Sequence, residues 1–143
     1  AGLALATNSQ TASRMGRVRQ RDTALELLVR RHAWRLGLRF TTRNRDLPGS
    51  PDLANRSKRV AVFCMGCFWH HHEGCARASV PKSNRAFWRR KFARNRERDE
   101  AAINALVDLG YRVAVIWECE AADQSIVDAA LSQLIAVARP PSP

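Results

Sequence analysis

The chain has 143 residues, of which 45% are hydrophobic, so it is long enough for one compact domain and too short for two independent cores. Its 24 Lys and Arg residues outnumber its 13 Asp and Glu residues, and the net charge of +11 favours a polyanionic partner, with nucleic acid as the first candidate. No stretch approaches the roughly 18 consecutive apolar residues of a membrane-spanning helix, which argues against a membrane protein.

Composition sets the two ends of the chain apart. Residues 1–12 are small and polar and are expected to form a flexible segment, residues 13–139 one domain, and the proline-rich residues 140–143 a tail. The apolar run at 2–6 lacks the basic flank and the length of a secretory signal, so the expected compartment is reducing. In such a compartment the four cysteines are better interpreted as metal ligands than as disulfides.

The first half of the chain is predicted to form one helix and three short extended segments. Thr23 and Glu26 have the spacing of a capping box, apolar residues then recur at helical spacing, and Gly37 offers a stop. A turn rich in Pro and Gly brings Asp52 to the start of an extended segment. The predicted elements are a helix at 23–36, a strand at 38–42, a turn at 46–51, an extended segment at 52–54 and a doubly covered strand at 59–64.

In the second half, a long basic helix precedes a strand and a closing helix. Phe87, Trp88, Phe92 and Leu106 recur at helical spacing, and Gly110 offers the C-terminal stop. The run at 111–117 repeats the pattern of a buried strand. The predicted elements are a helix at 84–109, a strand at 111–117 and an amphipathic helix at 125–138. The complete order is α, β, β, β, α, β, α, which indicates an α/β domain.

A cluster of cysteine and histidine residues follows the strand at 59–64. Cys67, His72 and Cys75 lie within nine residues, and Cys119 after the last strand completes a tetrahedral set for a structural zinc ion. An alternative set combines Cys64 and Cys67 as a CxxC pair with Cys75 and Cys119. Spacing alone does not choose between the two sets, and Cys64 and Cys119 are also interpretable as small buried hydrophobic residues.

Several polar side chains have both a functional and an ordinary structural interpretation. Asp52 either binds a metal or closes an Asx turn, and Glu26 either acts in catalysis or completes the capping box. Asp99 is expected to hold a His or a Lys near the site. The basic stretch at 89–98 is either a solvated helix face or a surface that contacts phosphates. The residues expected to make such contacts are Arg89, Arg90, Lys91 and Arg94.

Collinear motifs connect these landmarks to a known family. They are Arg21-Asp22-Thr23-Ala24-x-Glu26, Leu47-Pro48-Gly49-x-Pro51-Asp52, Gly66-Cys67-Phe68-Trp69-His70-His71-His72, Phe87-Trp88, Asn95-x-Glu97-Arg98-Asp99, Leu109-Gly110-Tyr111-Arg112-Val113 and Trp117-Glu118-Cys119. Through these motifs the chain resembles the very short patch repair endonucleases over residues 13–119. The resemblance implies a PD-(D/E)xK-like, restriction-endonuclease-like fold with a central mixed sheet flanked by helices and a structural zinc site.

The resemblance also implies a DNA mismatch endonuclease that depends on Mg²⁺ and nicks duplex DNA on the 5′ side of the T of a T·G mismatch. Asp52 is then the carboxylate ligand of Mg²⁺, and the backbone carbonyl of Cys64 is the second protein ligand. His70 is the general base, and Glu26 orients a water beside the metal. One carboxylate and one carbonyl suffice because Mg²⁺ keeps several of its waters, and an imidazole suits proton transfer near neutral pH.

For DNA recognition, the resemblance implies that Phe68 and Trp69, together with Met15, enter the base stack beside the mismatch, where unstacking costs least. Arg89, Lys91 and Arg94 contact the DNA backbone in this interpretation. The zinc ligands implied are Cys67, His72, Cys75 and Cys119. The expected partners are double-stranded DNA with a T·G mismatch and a MutL-like repair protein, and the expected state is a monomer in the bacterial cytoplasm, associated with the nucleoid.

Two positions depart from the family pattern. Cys64 and Met65 stand where the family usually has Thr and His, so a histidine that would contact the phosphate or assist the leaving group is missing, unless His71 or a water compensates. Glu73 and Gly74 lengthen the zinc loop by one residue, which still lets it close. Met65 keeps two alternatives open: a homing or mobile-element nuclease of the same fold, or a zinc-stapled DNA-binding module with weakened or lost activity.

Overall fold

The computed structural model describes residues 23–138, and these form a three-stranded sheet with helices. The helices are α1 (Ala24–Arg35), α2 (Arg85–Asp108) and α3 (Gln124–Ala138), and the strands are β1 (Leu53–Asn55), β2 (Val60–Met65) and β3 (Arg112–Trp117). A 3-10 helix (Glu118–Ala122) connects β3 to α3. The predicted flexible segment at 1–12, Met15 and the tail at 140–143 lie outside the described residues. Within 23–138, no helix has the length and apolar character needed to cross a bilayer.

Local signals place the helix ends close to where the sequence predicts them. The Thr23 side chain accepts a hydrogen bond of 3.2 Å from the Glu26 N–H at the start of α1. Gly37 and Gly110 follow α1 and α2 with φ angles of 89° each, a conformation that costs glycine little. These caps explain why the helix boundaries were predictable from sequence.

The sheet is mixed, as predicted, with the strand order β1-β2-β3. β1 runs antiparallel to β2, with Leu53 opposite Val62, and β3 runs parallel to β2, with Cys64 opposite Ile116. The strand predicted at 38–42 is wrong: within the described residues this stretch contributes only an isolated bridge between Thr41 and Ala54. The chain turns immediately after Thr41, so no continuous pairing develops.

The two faces of the sheet bury two apolar clusters. α1 and α3 cover one face, where Val60 and Val62 pack with Val29 and Leu131. α2 covers the other, where Ala61, Phe63 and Met65 pack with Leu106. β2 is therefore covered on both faces, as predicted.

β3 is also covered on both faces, since Ile116 lies in the α1- and α3-side cluster and Val113 and Val115 pack against the α2-side cluster, but it is less buried than its pattern predicts. β3 is an edge strand in which only Ile116 is fully buried, and Arg112 is exposed. Its apolar composition resembles that of β2 because its inward positions contact both clusters, but a single neighbouring strand leaves one edge uncovered within the described part of the chain.

Candidate active site and metal cluster

Asp52 lies where β1 begins, next to the carboxyl end of β2. Its N–H donates to the Val62 carbonyl at 2.9 Å, and its Oδ2 accepts the Cys64 N–H at 2.6 Å. Because the N–H and C=O of one strand residue point to the same side, the Cys64 carbonyl faces the side of β2 on which the Asp52 carboxylate lies. The Asp52 carboxylate and the Cys64 carbonyl therefore lie on the same side of β2, just past the pair of Leu53 and Val62 at which β1 begins.

The turn before Asp52 is packed too closely to move freely. Gly49 has a φ of 73°, and a Cβ at this position would lie 2.6 Å from the Ala102 side chain of α2. Only glycine fits this conformation at this distance. The turn is thereby held against α2, and it fixes Asp52 relative to both α2 and β2.

The environment of Asp52 favours a bound cation. Removal from water raises the pKa of the Asp52 carboxyl from 3.8 to about 7, and the Glu26 carboxyl adds to the rise, whereas the Cys64 N–H and His70 oppose it. Glu26 is only 5% exposed, and Arg30 lies 3.7 Å from it. Two neighbouring carboxyls that share a partly dry site are the arrangement that a divalent cation stabilises.

Glu26 takes part in the helix cap through its backbone, and its side chain lies beside Asp52. Its backbone N–H bonds to Thr23 in the cap, while its buried carboxyl hydrogen-bonds with Asp52. Asp52 is not an Asx-turn residue. Its carboxylate accepts a hydrogen bond from the N–H of Cys64, which is twelve residues further along the chain, and not from a residue of its own turn.

His70 is oriented by α2. Its Nδ1 lies 2.7 Å from Asp99 Oδ2, and Asn95 Nδ2 donates to the Trp69 carbonyl at 2.9 Å. His70 is also close enough to Asp52 to act on its carboxyl electrostatically. With Nδ1 engaged by Asp99, Nε2 is the nitrogen that can exchange a proton with a substrate. The expectation that Asp99 holds a histidine near the site is therefore confirmed.

Asn95 anchors the loop that carries His70, which was not predicted from the sequence. It occurs in a family motif, but no local pattern in the sequence links it to Trp69, which is 26 residues away.

Met65 and His71 do not join this group. The Met65 side chain is 4% exposed and packs in the α2-side cluster. The His71 ring stacks on Phe92 with centroids 4.4 Å apart, and its Nε2 is buried without a hydrogen-bond partner among the described residues. His71 is thus positioned by packing, and nothing in its contacts supports the idea that it replaces a histidine at position 65.

The four ligands predicted for zinc come together. The donor atoms of Cys67, His72, Cys75 and Cys119 all lie within 4.8 Å of one another. His72 Nδ1 is 3.7 Å from Cys67 Sγ and 3.5 Å from Cys119 Sγ. Tetrahedral zinc, with bonds of roughly 2.3 Å to sulfur and 2.0–2.1 Å to nitrogen, would separate such atoms by about 3.5 Å. The cluster therefore has dimensions that fit a metal ion.

The alternative set with Cys64 fails. Cys64 packs against the α1 and α3 side of the sheet, and burial, together with Asp52 and Glu26, raises the pKa of its thiol well above the usual range. Its sulfur is not among the donor atoms that lie within 4.8 Å of one another, which are those of Cys67, His72, Cys75 and Cys119.

Protonation and packing within the cluster are consistent with a metal site. Removal from water, with the thiols of Cys67 and Cys75, raises the pKa of the Cys119 thiol to about 11, whereas a backbone hydrogen bond at Arg77 lowers the pKa of Cys75. A cation would release the remaining protons. The His72 ring stacks on Trp117 at 4.0 Å, and the Cys119 N–H donates to Cys67 Sγ at 3.3 Å.

Phe68 and Trp69 belong to an aromatic cluster on α2. Phe68 makes edge contacts with Trp69, Trp88 and Phe92 at centroid distances of 5.1, 5.7 and 5.2 Å. Both residues are half-buried, whereas Trp88 is 1% exposed. The pair is therefore accessible in part, on a rigid aromatic base.

The basic residues predicted to contact DNA lie on α2. Arg89, Arg90 and Arg94 are exposed and Lys91 is half-buried. Among residues 23–138 none of the four forms an ion pair. Their charges are thus not neutralised within the described part of the chain, which agrees with an anion-binding surface.

Known proteins match this chain over most of its length. Residues 4–77 match the family model of the DNA mismatch endonuclease Vsr. The chain is 40% identical over 121 residues to the type II nicking enzyme V.XorIIP of Xanthomonas oryzae pv. oryzae, which covers 85% of this chain and 88% of that protein. It is 33% identical over 129 residues to the type II nicking enzyme V.NmeAIP of Neisseria meningitidis, in an alignment that covers 90% of this chain and 91% of that protein. It is 40% identical over 105 residues to the DNA mismatch endonuclease Vsr of Escherichia coli K12, in an alignment that covers 73% of this chain and 67% of that protein. With a family match over half of its length and relatives at these identities, the chain belongs to the Vsr family and is a DNA endonuclease.

Proposed function

We propose that this chain nicks duplex DNA on the 5′ side of the T of a T·G mismatch, in very short patch repair, with Mg²⁺ as its catalytic cofactor. The observation that carries the proposal is the Asp52 carboxylate on the Cys64 backbone, with Glu26 and His70 beside it. The activities for which its relatives are named, a mismatch endonuclease and nicking enzymes, support both the substrate and the single-strand cut. The sheet with helices on both faces agrees with a PD-(D/E)xK-like fold.

Asp52 and the Cys64 carbonyl would hold the Mg²⁺ ion. Both donors are oxygens, which Mg²⁺ prefers, and two protein ligands leave room for waters and a phosphate oxygen. When bound, Mg²⁺ supplies Lewis-acid stabilisation of the charge that develops on the phosphodiester. Asp52 must be ionised to act as a ligand, and its raised pKa means that binding releases a proton near neutral pH.

His70 acts as the general base. Its Nε2 takes a proton from the attacking water, and Asp99 at Nδ1 fixes the ring and stabilises the resulting imidazolium. Glu26 accepts a hydrogen bond from a water beside Asp52 and so orients it. The water oxygen bonds to phosphorus, the bond from phosphorus to the 3′ oxygen breaks, and that oxygen leaves with a proton from solvent.

The loop between β2 and α2 reads the mismatch. Phe68 and Trp69 enter the base stack there, and Met15 assists from outside the described residues. Unstacking costs least at a mispair, so rigid aromatic wedges select it. Arg89, Lys91 and Arg94 contact phosphates and set the position of the duplex without reading its sequence.

Zn²⁺ is proposed as the structural metal, held by Cys67, His72, Cys75 and Cys119. It ties the loop that carries Phe68, Trp69 and His70 to the end of β3, so its binding free energy stabilises the catalytic geometry. The protein is proposed to act as a monomer, with a MutL-like repair protein as a further partner.

A nicking assay tests the proposal directly. Wild-type protein and Asp52→Ala are incubated with Mg²⁺ and labelled duplexes that carry either a T·G or a T·A pair at one position. Wild type should nick the T·G duplex faster, 5′ to the T, and Asp52→Ala should be inactive. Equal cutting of the paired duplex would favour a homing-type nuclease, and tight binding without any nicked product would favour a DNA-binding module.

A further inference from the structure

A cavity of about 460 Å³ borders Asp52, and none of its lining residues belongs to α2. Asp52 and Glu26 form one wall, and the loop at 42–46 forms the other with Arg43 and Arg45. Asp52 therefore borders this loop as well as the group formed by His70 and Asp99. The loop was not singled out from sequence, and the proposed function gives it no task.

The loop at 42–46 is rigidly braced. Asn44 is 2% exposed, and its side-chain N–H groups donate to the carbonyls of Thr41 and Pro51 at 2.9 and 3.0 Å. Arg56 donates to Asn44 Oδ1 at 3.1 Å and pairs with Asp46 at 2.6 Å. These contacts tie the loop to the residue before Asp52, so its geometry relative to Asp52 is preorganised.

The charges on the loop are unequal in their pairing. Arg56 neutralises Asp46, the only acidic residue between positions 40 and 50. Arg43 and Arg45 are exposed, and neither makes an ion pair or side-chain hydrogen bond with residues 23–138. Two unpaired guanidinium groups thus face the same cavity as the carboxylates that would hold the cation.

We propose that Arg43 and Arg45 bind the phosphodiester backbone next to the nicked phosphate, in the cavity that they share with Asp52. The inference rests on the proposed DNA-nicking function. A strand whose scissile phosphate lies at Asp52 must place its neighbouring phosphates on both sides, and α2 serves only one of them. Guanidinium groups remain charged at any physiological pH and match phosphate geometry. The duplex is therefore gripped on both flanks of the cut.

Salt dependence of DNA binding tests this inference. Binding to a T·G duplex and a T·A duplex is measured without Mg²⁺, so that nothing is cut, for wild type, R43A, R45A, the double variant and R112A. Each lost phosphate contact lowers the slope of log affinity against log salt by about 0.9. The double variant should lose roughly 1.8 from the slope and bind at least about 10-fold more weakly at 0.15 M salt.

R112A is the matched control, because Arg112 is exposed on β3, makes no ion pair among the described residues, and carries the same charge. R112A should keep the wild-type slope, and a double R43K/R45K variant should keep most of it. Equal slopes for wild type and R43A/R45A, or an equal loss in R112A, would overturn the inference.

Duplexes with single uncharged methylphosphonate linkages locate the contact. Wild type should lose affinity when phosphates on either flank of the cut site are neutralised, whereas R43A/R45A should have become insensitive on one flank and kept its sensitivity on the other. Unchanged sensitivity in the variant would overturn the inference. A protein that gives the expected slopes and positions yet never nicks with Mg²⁺ would contradict the proposed function and leave this binding site intact.

Discussion

Asp52→Asn should stabilise the protein without added Mg²⁺ at neutral and high pH, although it removes the proposed metal ligand. The Asp52 carboxyl has a pKa of about 7 in the folded chain, chiefly through burial, against 3.8 as its ordinary value. Between pH 4 and 7 the unfolded chain loses this proton while the folded chain keeps it, so stability falls as pH rises through that window. Asparagine carries no charge, and its side-chain oxygen still accepts the Cys64 N–H.

The magnitude follows from the same two values. A rise from 3.8 to about 7 corresponds to roughly 4 kcal/mol, at about 1.36 kcal/mol per pH unit. Solvent screening of a half-buried group reduces this to about 2–3 kcal/mol. Asp52→Asn should therefore exceed wild type by this amount at pH 8, and the difference should vanish as pH falls to 4.

Urea unfolding of wild type and Asp52→Asn at pH 5, 6, 7 and 8 measures the difference in stability. Titration of the predicted zinc ligands affects both proteins equally and therefore cancels in this difference. Asp46→Asn is the control, since the bond to Arg56 lowers the pKa of Asp46; its loss of stability should appear above pH 4 and disappear in acid. Added Mg²⁺ should stabilise wild type at pH 8 and leave Asp52→Asn unchanged. Parallel curves for wild type and Asp52→Asn would refute the buried-carboxylate argument.

Four further outcomes are expected. Asp99→Asn should lower the single-turnover nicking rate about 10²- to 10⁴-fold with unchanged DNA affinity, because His70 loses its orienting partner; unchanged rates would contradict this. Trp69→Ala should reduce the T·G over T·A preference about 10-fold in a competition assay. A chelator should remove about one equivalent of zinc and lower the thermal midpoint by over about 10 °C. His32→Ala breaks a buried contact with Asp128 that joins α1 to α3 and should cost about 1–3 kcal/mol in urea unfolding.

The helices and β2 were predictable because their signals are local. The Thr23 cap, the glycine stops and the apolar periodicity act within a few residues of the elements that they bound. The burial of β3 was overestimated because it depends on the neighbours of the strand in the sheet, and an apolar run of six residues has the same pattern in a central strand and in an edge strand. The bridge at Thr41 was overestimated for the same reason: pairing needs a partner, and β1 has only three residues.

The choice of metal ligands shows where sequence spacing stops being informative. Cys64 and Cys67 have the spacing of a CxxC pair, yet β2 continues through Met65, so the Cys64 side chain stays on the α1 and α3 side of the sheet. Cys67 lies beyond the strand end and is free to turn towards Cys119. The strand boundary, which sequence gives only to within a residue or two, therefore decides which sulfur atoms meet.

The alternation of side chains along β2 explains why position 65 holds a methionine. Successive side chains of β2 point to opposite faces, so Met65 lies beside Phe63 in the α2-side cluster while its neighbour Cys64 faces Glu26 and Asp52. A polar histidine in this place would need a partner in an apolar cluster or a different path for the chain after β2. The methionine thus fits its packing. In the proposed mechanism, attack on the phosphate depends on Asp52, the Cys64 backbone and His70, and the proton for the leaving oxygen comes from solvent rather than from position 65.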